Sequence, residues 1–255
     1  MLKADAGRLL DSASTDDKAQ TQLLVDAMGL LGYTAANASF KDIRLDPRFF
    51  LDVASRARFP FVSTNVVDSR TLLPHFRACH VAAVDGRYKV AFLGVSQKNS
   101  SQARLPGGSS LVAVDPIEAA AKQVKELRPQ VHLIVVLASL PRDEAERMAA
   151  QVDGIDMILG CDGSFATLDR PDFVNGTLVL YAGDQGKYVG KVDAYPSGDV
   201  VDRLVCKVVS LDQSLGDDPQ MTALLDQWQQ GSTKAQMPGP GISGVEAGGP
   251  ETQRK

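Results

Sequence analysis

The segment 156-DMILGCDGSFAT-167 joins a short apolar run to an abrupt polar loop. Its residues 157–159 are typical of a strand buried on both faces, and Gly160 ends that strand immediately before Cys161. Buried strands of this kind deliver loops to the carboxyl edge of a sheet, where α/β proteins place their binding and catalytic groups. The segment therefore predicts an α/β fold whose functional residues lie close to Cys161.

Helix signals occur on both sides of this segment. Apolar residues recur at helical spacing over 16–31. Asp46-Pro47 and Asp115-Pro116 each place an N-cap aspartate before a proline at the first helical position, which predicts a helix start. We expect two further helices, at about 141–151 and 218–230.

Strand signals separate these helices. Asp85-Gly86 lies between two alternating runs and predicts a β-hairpin. The run 133–138 is continuously apolar, as expected for a strand that is buried on both faces. More strand-like segments follow residue 176. This order predicts a mixed sheet with helices outside it and the late strands in a second sheet, which is a layered α/β sandwich.

Composition limits the classes of protein to which the chain can belong. The formal net charge of −4 gives no electrostatic reason to expect a nucleic acid as partner. No apolar run approaches the roughly 20 residues that a membrane-spanning helix needs. The three cysteines are far apart and form no CxxC pair, which argues against a zinc knuckle or a disulfide framework. Residues 231–255 contain too few apolar side chains to offset the entropy of ordering, so we expect one domain over 1–230 followed by a disordered tail or linker.

Several segments, in order, resemble the N-terminal domain of the 5'-nucleotidase branch of the calcineurin-like metallophosphoesterases. They are DAGRLL (5–10), LLGYTAANASF (30–40), ARFPFVSTNV (57–66), LIVVLASL (133–140), IDMILGCDGSF (155–165) and GDQGKYVGKVD (183–193). The resemblance covers most of residues 3–230. It implies a layered αββα sandwich of the metallophosphoesterase type that lacks the family's first strand.

The resemblance also implies a chemistry that needs two divalent cations, manganese, zinc or magnesium, held by several histidine, aspartate and asparagine ligands. Asp5 and Asn37 match ligand-motif residues of the family. Arg8, however, stands at the position of the metal-bridging aspartate, and Ala38 stands at that of the catalytic histidine. Other motif positions have lost their imidazoles, and the residues found there are Ser139, Asp162 and Ser164.

The histidine inventory leads to the same expectation without any family knowledge. His75, His80 and His132 are the only histidines, and no two of them form an HxH or HxxxH pair. We therefore expect no bound metal and a degenerate, non-catalytic domain that serves as a binding or structural module. Two alternatives stay open: an active, metal-dependent phosphoester or nucleotide hydrolase with a reduced site, and a thiol redox protein that uses Cys161.

Arg8 admits two interpretations. With Asn37 and loop amides it can bind a phosphate or another anion, or it can pair with Asp162 and fill the old site. The expected partner is accordingly a phosphate-bearing small molecule or another protein. By resemblance alone, we expect the protein to be periplasmic or exported.

Overall fold

The structure is a computed structural model that describes residues 1–161, 172–181, 183, 186–198 and 200–236. The chain divides into two compact units, Met1–Asp217 and Asp218–Lys255. Strands β1 to β14, all in the first unit, are Ala4–Asp5, Ala35–Asn37, Phe61–Val62, Val66–Asp68, Cys79–Val84, Tyr88–Ser96, Asn99–Arg104, Ser110–Ala113, Leu133–Ser139, Met157–Gly160, Asp172–Val174, Thr177–Tyr181, Tyr188–Ser197 and Val200–Ser210. Helices α1 to α6 are Thr15–Leu30, Phe40–Leu45, Pro47–Arg56, Pro116–Leu127, Arg142–Gln151 and Pro219–Gln236.

The predicted helix starts and the predicted hairpin are confirmed. The side chain of Asp46 accepts a hydrogen bond from the N–H of Phe49 at 3.0 Å and caps α3. Asp115 caps α4 in the same way. Asp85 and Gly86 have φ angles of 51° and 69°, as the tight turn between β5 and β6 requires.

Two sheets carry the polar strand ends. One has three parallel strands in the order β1-β2-β3. The other has six strands in the order β11-β12-β10-β9-β6-β5, of which β6, β9, β10 and β12 run parallel. Strands β13 and β14 form a two-stranded antiparallel sheet, and β4, β8 and β7 form a small three-stranded antiparallel sheet.

Three clusters of buried side chains fix the order of the layers. Helices α4 and α5 pack on one face of the six-stranded sheet, where Met148 meets Ile134. The opposite face of that sheet packs on the three-stranded sheet, with Phe92 and Val135 against Val62. Helices α1 to α3 cover the outer face of the three-stranded sheet. The first unit is therefore the αββα sandwich that the sequence predicted.

Two expectations need correction. Thr177–Tyr181 does not join a second sheet of late strands, because it pairs with β10 and extends the six-stranded sheet. Helix α6 ends at Gln236 rather than at about residue 230, and the division into a domain over 1–230 and a tail over 231–255 stays a prediction. The remainder of the predicted tail lies outside the described residues. No helix within the described part of the chain is long and apolar enough to cross a membrane.

Candidate functional site

Polar side chains stand at the carboxyl ends of strands from both sheets. Asp5 ends β1, Asn37 ends β2, Ser139 ends β9, and Cys161 follows β10. The two sheets meet through these ends, because the Ser39 hydroxyl donates to that of Ser139 at 3.2 Å. We call this group of residues, together with loop 5–10, the strand-end cluster.

Asn37 ties the loop 5–10 to the six-stranded sheet. Its Nδ2 donates to the carbonyl of Ala6 at 3.0 Å and to that of Val95 in β6 at 2.9 Å. Its Oδ1 is buried and accepts no hydrogen bond from a described residue. A Cβ at Gly94 would lie 2.5 Å from this oxygen and 2.2 Å from the carbonyl oxygen of Val62. The amide therefore holds the loop in place, and its packing depends on a glycine at position 94.

Asp42 is the member of the strand-end cluster that sequence reasoning missed. Its Oδ2 accepts from the N–H groups of Arg8 at 2.9 Å and Leu9 at 3.2 Å, and its Oδ1 accepts from that of Leu10 at 3.1 Å. The spacing Ser39-x-x-Asp42 is compatible with a local capping box. The carboxylate instead reaches a loop that is more than thirty residues away in sequence.

The carboxyl groups of Asp42 and Asp5 both have raised pKa values. Burial raises the pKa of Asp42 to about 6 against the opposing effect of the three N–H donors, and the nearby Asp5 adds to the rise. Burial likewise raises the pKa of Asp5 to about 6, opposed by the hydrogen bond that Gly7 N–H donates to its Oδ1 at 2.7 Å. Asp42 is fully buried, whereas Asp5 is partly buried.

Arg8 holds a backbone conformation that is uncommon for a residue with a side chain. Its φ is 68°, and that of Gly7 before it is 96°. The three N–H bonds from residues 8–10 to Asp42 maintain this turn. No carboxylate of the described residues forms an ion pair with the Arg8 guanidinium, and its predicted partner Asp162, like Ser164, lies outside them.

Cys161 is a partly buried free thiol. Burial raises its pKa to about 12, the negative charge of Asp5 contributes, and the Ser139 hydroxyl and the Arg8 charge oppose the rise. The thiol donates to the carbonyl of Ala6 at 3.2 Å. At neutral pH it is therefore protonated, whereas a nucleophilic or redox-active cysteine needs the thiolate.

The donor groups of the described residues do not fit a pair of divalent cations. Within the described ranges, no three His, Cys, Asp or Glu side chains form a group that can hold a metal ion. Both carboxylate oxygens of Asp42 already accept hydrogen bonds from backbone N–H groups. Arg8 occupies the position at which the resemblance implies a metal-bridging aspartate. His132 precedes β9, at the end opposite to Ser139, and its Nδ1 accepts from Lys89 N–H at 3.0 Å.

Comparison with known proteins shows that the chain is similar to nucleotidases and other phosphoesterases. No protein-family model matches the sequence. The chain is 32% identical over 155 residues to the trifunctional nucleotide phosphoesterase protein YfkN of Bacillus subtilis, covering 57% of this chain and 10% of that protein. The 5'-nucleotidase precursor of Thermus thermophilus superposes with a TM-score of 0.76 and 25% identity, covering 91% of this chain and 50% of the other.

The fold also matches the sulfate thiohydrolase SoxB of Thermus thermophilus, solved in complex with glycerol. The TM-score is 0.79 at 21% identity, over 91% of this chain and 43% of the other. This chain thus spans at most half the length of each of the three proteins. The predicted resemblance to the 5'-nucleotidase branch of the calcineurin-like phosphoesterases is confirmed.

Proposed function

We propose that this chain is a degenerate, non-catalytic 5'-nucleotidase-like domain that serves as a binding or structural module. One observation carries the proposal: Asn37 and Cys161 both donate hydrogen bonds to the carbonyl of Ala6. Two polar side chains at the strand ends are thereby engaged by the backbone of loop 5–10, whereas the two-metal chemistry of a phosphoesterase needs side chains that are free to bind cations.

Charge supports a residual anion site within this module. Arg8 is cationic at every accessible pH, and a guanidinium recognises phosphate through paired N–H donors. The carboxylates of Asp5 and Asp42 lie beside the backbone of loop 5–10, and their pKa values of about 6 leave them mainly ionised near neutral pH. Phosphate binding at Arg8 is therefore expected to strengthen as these acids take up protons, between about pH 7 and pH 5.

The alternatives differ in what supports them. An active, metal-dependent hydrolase of phosphoesters keeps Asp5, whose pKa of about 6 suits a general base, but it needs further ligands from residues outside those described. A redox role for Cys161 conflicts with the raised pKa of its thiol. A periplasmic or exported location stays a prediction that rests on the family resemblance.

Metal analysis combined with a phosphatase assay tests the proposal. The purified chain is dialysed against Mn²⁺, its metal content is measured by inductively coupled plasma mass spectrometry, and hydrolysis of p-nitrophenyl phosphate is followed. We expect less than one tightly bound metal per chain and no turnover that a chelator abolishes. Two metals per chain, or chelator-sensitive turnover, would establish the hydrolase instead.

Thermal unfolding with inorganic phosphate tests the anion site at pH 6. Phosphate at about ten times its dissociation constant should stabilise the chain by about 1.4 kcal/mol, which is a rise in Tm of about 3 °C. Arg8→Gln should abolish the rise. The control Arg56→Gln, which removes an exposed arginine paired with Asp52, should keep it. A full rise in the Arg8→Gln variant would remove Arg8 from the proposal.

A further inference from the structure

Two loops leave the same end of the small sheet formed by β4, β8 and β7. Ser110 of β8 pairs with Arg104 of β7 on one side, and on the other side its carbonyl accepts from the N–H of Ser69 at 2.8 Å. The loop after β4, residues 69–73, therefore lies beside the loop between β7 and β8, residues 105–109. We call these two loops together the loop tip.

The loop tip presents two leucines to solvent from a turn that is well fixed. Leu72 and Leu73 are 62% and 65% exposed, and Leu72 has a φ of 56°, a region that favours glycine or asparagine. The Leu72 N–H donates to the carbonyl of Asp68 at 2.9 Å, and the Leu73 carbonyl accepts from the Asp68 N–H at 2.9 Å. The Asp68 Oδ1 also accepts from the N–H groups of Arg70 at 3.0 Å and Thr71 at 2.9 Å. An unfavourable backbone conformation at an exposed leucine indicates that this side chain acts outside the fold.

The charge of the loop tip is positive, although the whole chain has a formal net charge of −4. Residues 66–84 contain a single acid, Asp68, and residues 97–110 contain none. Arg70 and Arg104 are exposed, and neither forms an ion pair with a described residue. Asp68 directs one carboxylate oxygen at the backbone of its own turn. Exposed leucines therefore stand beside two available cations.

The small size of the loop tip favours a lipid surface over a protein partner. A stable protein–protein interface takes about 20 to 30 residues from each side and a complementary shape, which two short loops do not provide. A bilayer surface needs no matching shape. Binding to it increases with the apolar area that enters the head-group region and with the number of cations near anionic lipids.

We propose that the loop tip binds reversibly to the surface of an anionic phospholipid bilayer. Leu72 and Leu73 enter the head-group region, and Arg70 and Arg104 lie against the negatively charged head groups. The contact is peripheral and weak, because only two leucines and two arginines contribute to it.

Flotation with phospholipid vesicles tests the proposal. The purified chain is mixed at low salt with vesicles of phosphatidylcholine and phosphatidylserine in equal parts, or of phosphatidylcholine alone. We expect the chain to float with the mixed vesicles and to bind the neutral ones far less, because the arginines need anionic head groups. Added salt should release it. A chain that binds neither kind of vesicle, or both kinds equally, would overturn the proposal.

Replacing the two leucines separates binding from folding. Leu72→Gly/Leu73→Ser removes the apolar side chains and relaxes the left-handed residue. The partition coefficient on mixed vesicles should fall about tenfold, whereas the Tm should not fall. Leu24→Ser removes an exposed leucine of α1 and should bind like wild type. Unchanged binding of the double variant would show that the leucines do not enter the lipid.

Replacing the two arginines tests the electrostatic part of the contact. Arg70→Gln/Arg104→Gln should weaken binding to the mixed vesicles about tenfold and remove most of the preference for them over neutral vesicles. Arg147→Gln removes an exposed arginine of α5, in the helical layer on the other side of the fold, and should leave binding unchanged. An equal loss in both variants would mean that overall charge, rather than the loop tip, determines binding.

Tryptophan fluorescence tests insertion and distinguishes lipid from an acidic protein. Trp228 is the only tryptophan, so Trp228→Phe/Leu73→Trp reports on the loop tip alone. We expect its emission to shift to shorter wavelength on mixed vesicles, whereas that of Trp228→Phe/Leu24→Trp should not shift. A shift with soluble polyglutamate but none with vesicles would identify an acidic protein as the partner and would contradict the proposal.

Discussion

Asp42 and Asp115 both stand at the starts of helices, yet they stabilise different kinds of structure. Asp115 accepts from the N–H groups of Ile117 and Glu118, within its own helix. Asp42 lies in the first turn of α2 but accepts from three N–H groups of residues 8–10. The first contact is local and partly exposed, whereas the second is non-local and buried in the strand-end cluster. Non-local contacts therefore shape the site, and local ones shape the scaffold.

Removing the Asp42 carboxylate should produce the largest difference between the two regions. Asp42→Ala leaves three N–H groups without acceptors, and we expect a loss of about 3 kcal/mol in the free energy of unfolding. Asp115→Ala loses an ordinary helix cap and should cost about 1 kcal/mol. Urea unfolding of both variants at pH 5, where the charge of Asp42 contributes little, measures the difference. Equal losses would show that the loop contacts add nothing beyond local capping.

Adding a methyl group at Gly94, beside Asn37 of the strand-end cluster, should cause the next largest loss of stability. Gly94→Ala drives a methyl group toward the Val62 carbonyl and the Asn37 amide, which are packed on all sides. We expect a loss of about 2 to 3 kcal/mol in the free energy of unfolding. Gly216→Ala meets no atom within 4 Å and serves as the control, with no measurable loss. A fully stable Gly94→Ala variant would mean that β2, β3 and β6 can move apart there.

Asp5 in the strand-end cluster and Asp46 at a helix start should affect the pH dependence of stability with opposite signs. Asp5 keeps its proton to about pH 6 in the folded chain but loses it near 3.8 when unfolded. The folded state therefore binds more protons between these values, and its stability falls as pH rises from about 4 to about 6. Relative to Asp5→Asn, wild type should lose about 2 kcal/mol over that range, in urea titrations at several pH values.

A second aspartate provides the control of opposite sign. The hydrogen bond from Lys18 lowers the pKa of Asp46, so the stability that Asp46 contributes is present above about pH 4 and is lost as the pH falls further. Wild type compared with Asp46→Asn should therefore lose stability on acidification. For Asp5, the contrary outcome is that the free energies of unfolding of wild type and Asp5→Asn change equally between pH 4 and pH 6. That outcome would mean that burial does not disfavour the charged form of Asp5.

The sequence predicted those features whose causes lie within a few residues. The turn at Asp85-Gly86 and the helix starts at Asp46 and Asp115 depend on backbone preferences and on caps that neighbouring residues supply. The convergence of Asp5, Asn37, Ser139 and Cys161 was also predictable, because strand ends that follow ordered family motifs meet at one edge.

What escaped prediction depends on contacts between distant segments. The pattern at Ser39 and Asp42 is compatible with a local capping box, and nothing in it indicates that the acid binds residues 8–10. The side on which Thr177–Tyr181 joins the sheets depends on packing against β10, which short-range periodicity does not encode. Helix α6 continues beyond the expected end near residue 230, because a single glycine, Gly231, weakens a helix without ending it.

The three N–H groups held by Asp42 have a consequence for the kinetics of the molecule. Residues 8–10 belong to no helix or strand, and segments of that kind ordinarily exchange their amide hydrogens with solvent quickly. Here one buried carboxylate accepts from all three N–H groups. We therefore expect the amide hydrogens of residues 8–10 to exchange more slowly than those of an ordinary loop, and to lose that protection together when Asp42 is replaced.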